Sequence, residues 1–175
     1  VFFNLRQTLV LKRFFARPVR RDIIVISEVV ARMLFQMVGA VVIIALGYFV
    51  FGFTLYHGWV TFFEMLLLCA MALLVFMGFG FVVSGIAKSE SAIPPLSNLI
   101  TLPQFLLAGT FFSIDNFPKW LQYFCKLLPL TYLNDALRKI SFEGAGLWDV
   151  RMDMLILLGW GVVIYFAAGK VFKWE

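Results

Sequence analysis

The chain has 175 residues, of which 62% are hydrophobic and 14% charged, and its mean hydropathy is +0.94. Soluble domains are about 45–50% apolar and about 25% charged, so this composition excludes an ordinary water-soluble domain and predicts an integral membrane protein. The net charge of +5 is typical of a membrane protein with basic cytoplasmic loops. Because the sequence contains no nucleic-acid-binding motif, we expect no nucleic-acid partner.

The first 22 residues form a basic segment, with six basic residues against one acid. Leu11, Phe14 and Phe15 stand at i, i+3 and i+4, which predicts a short amphipathic helix that ends at Pro18. Two interpretations of this helix follow from its residues: an anchor in the lipid headgroups, or a cytoplasmic helix that docks on another protein.

Long apolar runs predict an all-α membrane protein with four transmembrane helices, because about 20 apolar residues are needed to cross the bilayer. We place these spans at about residues 23–53, 60–87, 92–114 and 152–172. Near the start of the first span, Arg32 and Gln36 share a face with Glu28, which favours an ion pair at the headgroup level over a substrate or coupling role. In the second span, the small residues Gly78, Gly80, Ser84 and Gly85 predict close packing between helices, through the pair Gly80 and Ser84.

The third span contains a proline and a group of polar residues. Pro103 removes one hydrogen bond of the helix, so we expect a kink there. Polar side chains inside a span face protein or a water-filled cavity, which leaves two interpretations: packing between helices, or lining of a translocation path. The polar residues are Ser97, Asn98, Thr101 and Gln104.

Two short amphipathic patterns, at about residues 116–128 and 130–141, lie between the third and fourth spans and are separated by Pro129. The first pattern places these apolar residues on one helical face: Phe117, Trp120, Leu121, Phe124 and Leu128. Asp115 or Asn116 is suited to the N-cap of this helix, and Pro118 to its first turn.

The second pattern also predicts a helix, because its apolar residues repeat every three to four positions. These residues are Leu130, Leu133, Leu137 and Ile140. Asp135 precedes Arg138 and Lys139 by three and four residues, a spacing that predicts ion pairing along the helix. Two half-buried helices between two spans predict a lid at the outer surface of the bilayer.

The sequence lacks the residues that common catalytic and cofactor sites require. It has no G-x-x-x-x-G-K-[ST] loop, so we expect ATP to bind elsewhere. The single His57 and the two cysteines, Cys69 and Cys125, do not supply a metal site, a disulfide or a catalytic triad. Glu64, at the edge of the second span, is interpreted as a boundary residue. We therefore expect neither an enzyme nor a bound cofactor.

The segment between the third and fourth spans resembles the signature near the C-terminus of type-2 ABC export permeases. In that family, a small residue and an aromatic pair are followed by a Pro-Trp-Leu helix, a Leu-Pro-Leu-Thr-Tyr turn, and a helix that ends near an Asp and an Arg. The matching residues are Gly109, Phe111, Phe112, Pro118, Trp120, Leu121, Pro129, Leu130, Thr131, Tyr132, Asp135 and Arg138.

The resemblance implies that the basic helix is a coupling helix, which contacts a partner ATPase that carries ATP and Mg²⁺. The residues expected in this contact are Arg6, Lys12, Arg13, Phe14, Phe15, Arg17 and Pro18. The resemblance also implies a second copy of the permease, and a unit of six spans of which this chain supplies the third to the sixth. We expect the first two spans to lie outside a chain that begins at Val1.

The resemblance further implies an exporter in the cell membrane, surrounded by lipid, whose outer gate contains the matching residues from Phe111 to Arg138. Phe111, Phe112 and Leu130 are candidate plugs of this gate. The distribution of basic residues predicts that both chain ends are cytoplasmic. Apolar and aromatic spans favour a hydrophobic or amphipathic substrate, although exporters of drugs, lipids, polysaccharides and ions share this arrangement. The alternative function is a membrane scaffold or assembly subunit that transports nothing.

Overall fold

The protein is described by a computed structural model that covers residues 21–53 and 55–171. Within this part of the chain the secondary structure is helical throughout, without a β-strand, which confirms the all-α prediction. The α-helices are α1 (Arg21–Phe51), α2 (Trp59–Ile86), α3 (Ile93–Leu107), α4 (Lys119–Leu127), α5 (Pro129–Phe142) and α6 (Arg151–Val171). Two short 3₁₀ turns, Glu90–Ala92 and Ile114–Asn116, precede α3 and α4.

Three helices of the described chain are long and apolar enough to cross a membrane: Val29–Phe51 in α1, Trp59–Ile86, which is α2, and Arg151–Lys170 in α6. Helix α3 has only 15 residues, or about 22 Å at 1.5 Å per residue, against about 30 Å of hydrocarbon. It ends before the uncharged run does, because Gly109 takes a left-handed backbone with φ of +78°. The arrangement of four spans therefore stays a prediction.

The core lies where α2 packs against α5 and α6. Leu68 of α2, Ile140 of α5 and Leu157 of α6 are fully buried in one cluster. Helix α1 stands at the side of this core, and its large apolar side chains, such as Phe35 and Phe49, are about four-fifths exposed. In a membrane protein such a surface faces lipid or another protein segment.

Helices α2 and α6 lie close together at Gly78. A Cβ atom added there would lie 2.6 Å from Cγ2 of Ile164. Close by, the hydroxyl of Tyr165 donates a hydrogen bond of 3.0 Å to the carbonyl oxygen of Leu74. The sequence pattern predicted the close contact at Gly80, but a Cβ atom at Gly80 would meet nothing within 4 Å. The sequence named Gly78 among the small residues of this helix but placed the contact at the pair Gly80 and Ser84, because spacing alone does not reveal which face the neighbour covers.

We predict that Gly78→Ala destabilises the protein while Gly80→Ala does not. Overpacking of a tight contact costs about 1–3 kcal/mol, which exceeds the about 0.5–1 kcal/mol that alanine gains over glycine in a helix. Thermal unfolding in mild detergent should show a lower midpoint for Gly78→Ala and an equal or higher midpoint for Gly80→Ala. Equal midpoints for the two variants would contradict this packing.

Candidate functional site

The break between α4 and α5 is held by two side chains from the start of α5. The Thr131 hydroxyl donates a hydrogen bond of 2.6 Å to the carbonyl oxygen of Cys125, and the Tyr132 hydroxyl donates one of 2.6 Å to that of Lys126. The last carbonyl groups of a helix have no partner within the helix, so these bonds satisfy the end of α4. Pro129 begins α5, where its missing N–H costs nothing.

Side chains of α5 also bond to the end of α3. The side-chain amide of Asn134 donates to the carbonyl oxygen of Ala108 at 3.0 Å and to the Thr110 hydroxyl at 2.9 Å. The Arg138 guanidinium donates to the carbonyl oxygen of Gly109 at 3.4 Å. A positive charge at a helix C-terminus is also favoured by the helix dipole. Helix α5 thus secures two helix ends, and we call residues 108–142 the lid segment.

An ion pair joins the lid segment to α6. The ammonium nitrogen of Lys139 lies 2.9 Å from Oδ2 of Asp153, which is nearly buried. This hydrogen bond is the main reason why the pKa of Lys139 is raised above its ordinary value of 10.5. The sequence predicted that Asp135 would pair with Arg138 and Lys139, and this is wrong for the described residues, since both cations bond elsewhere.

Asp135 itself is half-buried in the lid segment. Burial raises the pKa of its carboxyl group, and the charges of Lys139 and Arg138 act in the opposite direction. The two cations therefore attract Asp135 through space while their hydrogen bonds go to α6 and to the turn after α3. Pairing rules for an isolated helix do not include partners from other parts of the protein. Here Lys139 bonds to Asp153 of α6 and Arg138 bonds to the carbonyl oxygen of Gly109.

The start of α4 differs from the sequence prediction. Asp115 and Asn116 belong to a 3₁₀ turn, and Pro118 occupies the N-cap of α4 without a capping side-chain bond. The side-chain amide of Gln122 instead donates a hydrogen bond of 2.9 Å to the carbonyl oxygen of Phe117. The 3₁₀ turn ends at Asn116 and α4 begins at Lys119. Phe117 and Pro118 therefore separate the predicted caps, Asp115 and Asn116, from the helix.

Only part of the predicted apolar face of α4 packs against the protein. Phe117, Leu121 and Leu128 are half-buried, and Cys125, which the predicted face did not include, is fully buried. Trp120 is 65% exposed and Phe124 is 59% exposed. Thr131 of α5 bonds to α4 at Cys125. The face of α4 that contains Cys125 is therefore covered, whereas the neighbouring face, with Trp120 and Phe124, is exposed.

The three candidate plugs do not come together in the structure. Leu130 packs against the core cluster. Phe111 and Phe112 stay on the surface, where the ring of Phe111 meets that of Phe105 edge to face at 4.9 Å between ring centres. A gate built from Phe111 and Phe112 therefore needs a second surface against which these rings can close.

The polar residues of α3 have different surroundings. Gln104 is buried, and its Oε1 has no hydrogen-bond partner within the described chain. Thr101 is exposed and its hydroxyl donates to the carbonyl oxygen of Ser97 in its own helix at 2.8 Å, while Asn98 is exposed. The structure therefore divides these residues between the packed end of α3 and its open side.

The residues predicted to couple to an ATPase lie in positions 1–20, outside the described part of the chain. The structure instead shows contacts that the sequence did not predict. Oε1 of Glu64 accepts a hydrogen bond of 3.3 Å from the backbone N–H of Leu147, which ties α2 to the connection between α5 and α6. A lone acid at the edge of an apolar run was the available signal, both for Glu64 and for Asp153.

Comparison with known proteins identifies the family. The family model of the ABC-2 type transporter matches residues 1–142. The chain belongs to this family. The match contains the basic segment and the helices from α1 to α5, so it includes both helix ends that α5 secures. The resemblance that the lid sequence suggested is therefore confirmed.

Two curated relatives extend the comparison beyond α5. ABC transporter G family member 20 of Dictyostelium discoideum is 27% identical over 160 residues, which cover 90% of this chain and 22% of that protein. The capsule polysaccharide export inner-membrane protein CtrC of Neisseria meningitidis is 26% identical over 160 residues, which cover 85% of this chain and 59% of that protein. The chain thus spans less than two thirds of either relative. No solved structure matches it significantly.

These findings define the class of protein. The ABC-2 family consists of membrane permease components, and the described part of this chain has three helices suited to crossing a membrane. It is therefore a multi-pass membrane protein of a transporter family.

We predict that Thr131→Val destabilises the protein by about 1 kcal/mol, because valine keeps the shape but removes the shorter of the two hydrogen bonds that the carbonyl group of Cys125 accepts, which leaves the bond from the backbone N–H of Leu128. The matched control is Thr101→Val, whose hydroxyl is exposed and bonds only within its own helix. Chemical unfolding in detergent should separate the two variants. An equal loss of stability in both variants would mean that the hydrogen bond from Thr131 to Cys125 stabilises the protein no more than the bond within α3 does.

The ion pair between Lys139 and Asp153 predicts a dependence on pH. A raised pKa in the folded state means that the pair stabilises the protein fully below pH 10.5 and that this contribution is lost as pH rises through the folded pKa. Lys139→Gln should cost less than about 1 kcal/mol, since the lysine side chain is 41% exposed. The difference from wild type should be constant between about pH 7 and 9 and should shrink above about pH 10.5.

The control for this experiment is Lys126→Gln, which changes an exposed lysine without an ion pair among the described residues. Thermal unfolding midpoints measured across the pH series provide the readout. A deficit of Lys139→Gln that persists unchanged above the folded pKa would contradict the assignment.

Proposed function

We propose that this chain is the membrane-spanning part of a permease subunit in an ATP-driven exporter. The observation that carries the proposal is the ABC-2 family match over residues 1–142. The 175 residues contain no G-x-x-x-x-G-K-[ST] loop, so ATP and Mg²⁺ would bind to a separate or upstream ATPase rather than to this chain. The chain then contributes conformational change and a path, and no catalytic residue.

Energy would enter through the basic segment at residues 6–18. Closure of two ATPases on ATP would push this coupling helix and rock the spans, which opens the path outward. The contacts of α5 support such a transmission. Asn134 and Arg138 hold the end of α3, Thr131 holds the end of α4, and Lys139 holds the start of α6. A displacement of α3 would therefore move both lid helices and the last span together.

The exposed surface favours a hydrophobic or amphipathic substrate. Phe111 and Phe112 in the lid segment and Asn98 and Thr101 on α3 are all exposed, so apolar and polar groups are offered close together along the chain. The relative CtrC is named for export of capsule polysaccharide, which makes a polysaccharide the competing substrate class. A second copy of the permease would face this surface and provide the partner that Phe111 and Phe112 lack.

The test is purification of the full-length protein from mild detergent by an affinity tag, followed by mass spectrometry of the proteins that come with it. We expect an ATPase in a stoichiometric amount. The double variant Arg13→Glu and Arg17→Glu should reduce its recovery about tenfold or more, because two reversed charges in one contact repel the partner's surface.

The matched control is the double variant Lys88→Glu and Lys170→Glu, which makes the same change in net charge at two exposed lysines. It should keep the ATPase. If the wild-type complex contains no ATPase, and none is encoded in the same polypeptide, the exporter proposal is wrong and the scaffold function takes its place. Loss of the ATPase in both double variants would instead remove the coupling role from Arg13 and Arg17.

A further inference from the structure

Lys139 in the lid segment has two acids within reach. Its ammonium nitrogen lies 2.9 Å from Oδ2 of Asp153 on α6. Asp135 precedes Lys139 by four residues on α5, so the two side chains share one face of that helix. An acid four residues before a lysine is the favourable order for pairing along a helix. Lys139 therefore stands between an acid of a neighbouring helix and an acid of its own helix.

The carboxylate of Asp135 lacks a hydrogen-bonding partner. It is half-buried and accepts no hydrogen bond from the residues that the structure describes. Burial raises the pKa of this group, the charges of Lys139 and Arg138 lower it, and the acids Asp153 and Asp115 raise it further. A half-buried charge without a hydrogen bond is unfavourable. Asp135 is therefore stabilised whenever an ammonium group comes into contact with it.

Lys139 can exchange partners while the helix that carries it stays packed. The lysine side chain is 41% exposed, whereas Ile140 beside it is fully buried in the core cluster. Lysine has a flexible four-carbon stem, and exposed side chains change rotamer within nanoseconds. A third acid, Glu143, also attracts Lys139. Glu143 is exposed and keeps its water, so an ammonium group stabilises it less than it stabilises Asp135.

We propose that Lys139 is a latch with two positions: in contact with Asp153 it ties the lid segment to α6, and in contact with Asp135 it leaves α6 free. Separation of α5 from α6 then does not leave the ammonium group unpaired, because Asp135 moves with it on the same helix. Asp153, which is nearly buried in the attached state, is hydrated once the two helices separate. Charges are thus satisfied in both positions, as a reversible switch requires. The proposal goes beyond the transport function and does not depend on it, since the latch needs neither ATP nor a substrate.

The partner of Lys139 is identified by competitive acetylation of the full-length protein in mild detergent, with Lys126 as the internal reference. A paired ammonium group stays protonated and is acetylated more slowly. The ratio of the Lys139 rate to the Lys126 rate should rise about threefold in Asp153→Asn, since the tie to α6 is lost. It should rise about a further twofold in the double variant Asp135→Asn and Asp153→Asn, since the second partner is lost too. Asp135→Asn alone should change the ratio less than either step does.

Two outcomes of the acetylation experiment would overturn the proposal. An equal ratio in Asp153→Asn and in the double variant would show that Asp135 does not hold the ammonium group. A second rise that appears with Glu143→Gln in the Asp153→Asn background, and not with Asp135→Asn, would give the second position to Glu143. Asparagine and glutamine keep the size of the acids that they replace, so these variants change the charge with little change in packing.

Release of the lid segment from α6 is measured separately, by hydrogen exchange of the α5 backbone amides with mass spectrometry. Asp135→Asn should slow this exchange about twofold, because the released state loses its ion pair. In the Lys139→Gln background the same substitution should have a smaller effect, because the pair is already absent. If the burial of Asp135 alone controlled the exchange, its substitution would slow exchange at least as much in that background, since an attracting charge is missing. That result would overturn the latch.

Discussion

The ends of α3 and α4 depend on a single helix for the hydrogen bonds that their last carbonyl groups lack. Thr131 and Tyr132 of α5 satisfy the end of α4, and Asn134 and Arg138 satisfy the turn after α3. A helix that ends inside or near a bilayer cannot rely on water for these bonds, and an unsatisfied polar group there costs several kcal/mol. Helix α5 therefore stabilises the turn that ends the short α3.

Helix α5 is in turn fixed by packing and by two polar ties around the core. Its buried Ile140 packs with Leu68 of α2, and Lys139 pairs with Asp153 of α6. Glu64 of α2 accepts a hydrogen bond from Leu147 in the connection that follows α5. Apolar contacts give most of the stabilisation, since the core cluster is buried, and the two polar contacts fix the rotation of α5 that points its donors toward α3 and α4.

The sequence predicted what depends on local pattern and missed what depends on neighbours. Apolar runs and Pro129 predicted the long helices and the two helices of the lid, and fixed spacings between Gly109 and Arg138 predicted the family. Spacing within a helix could not show that Lys139 would pair with Asp153 rather than with Asp135, because Asp153 is 14 residues away and belongs to another helix. It also could not show that Gly78, rather than Gly80, meets α6.

Because α5 donates hydrogen bonds to the ends of both α3 and α4, local unfolding of α5 affects both ends. If α5 detaches, the ends of α3 and α4 lose their side-chain hydrogen bonds in the same event, because the donors to both ends belong to α5. These three segments therefore form one cooperative unit of local unfolding, whose backbone amides exchange with solvent at a common free energy. Helix α1, which contributes little to the buried core, can fluctuate outside that unit.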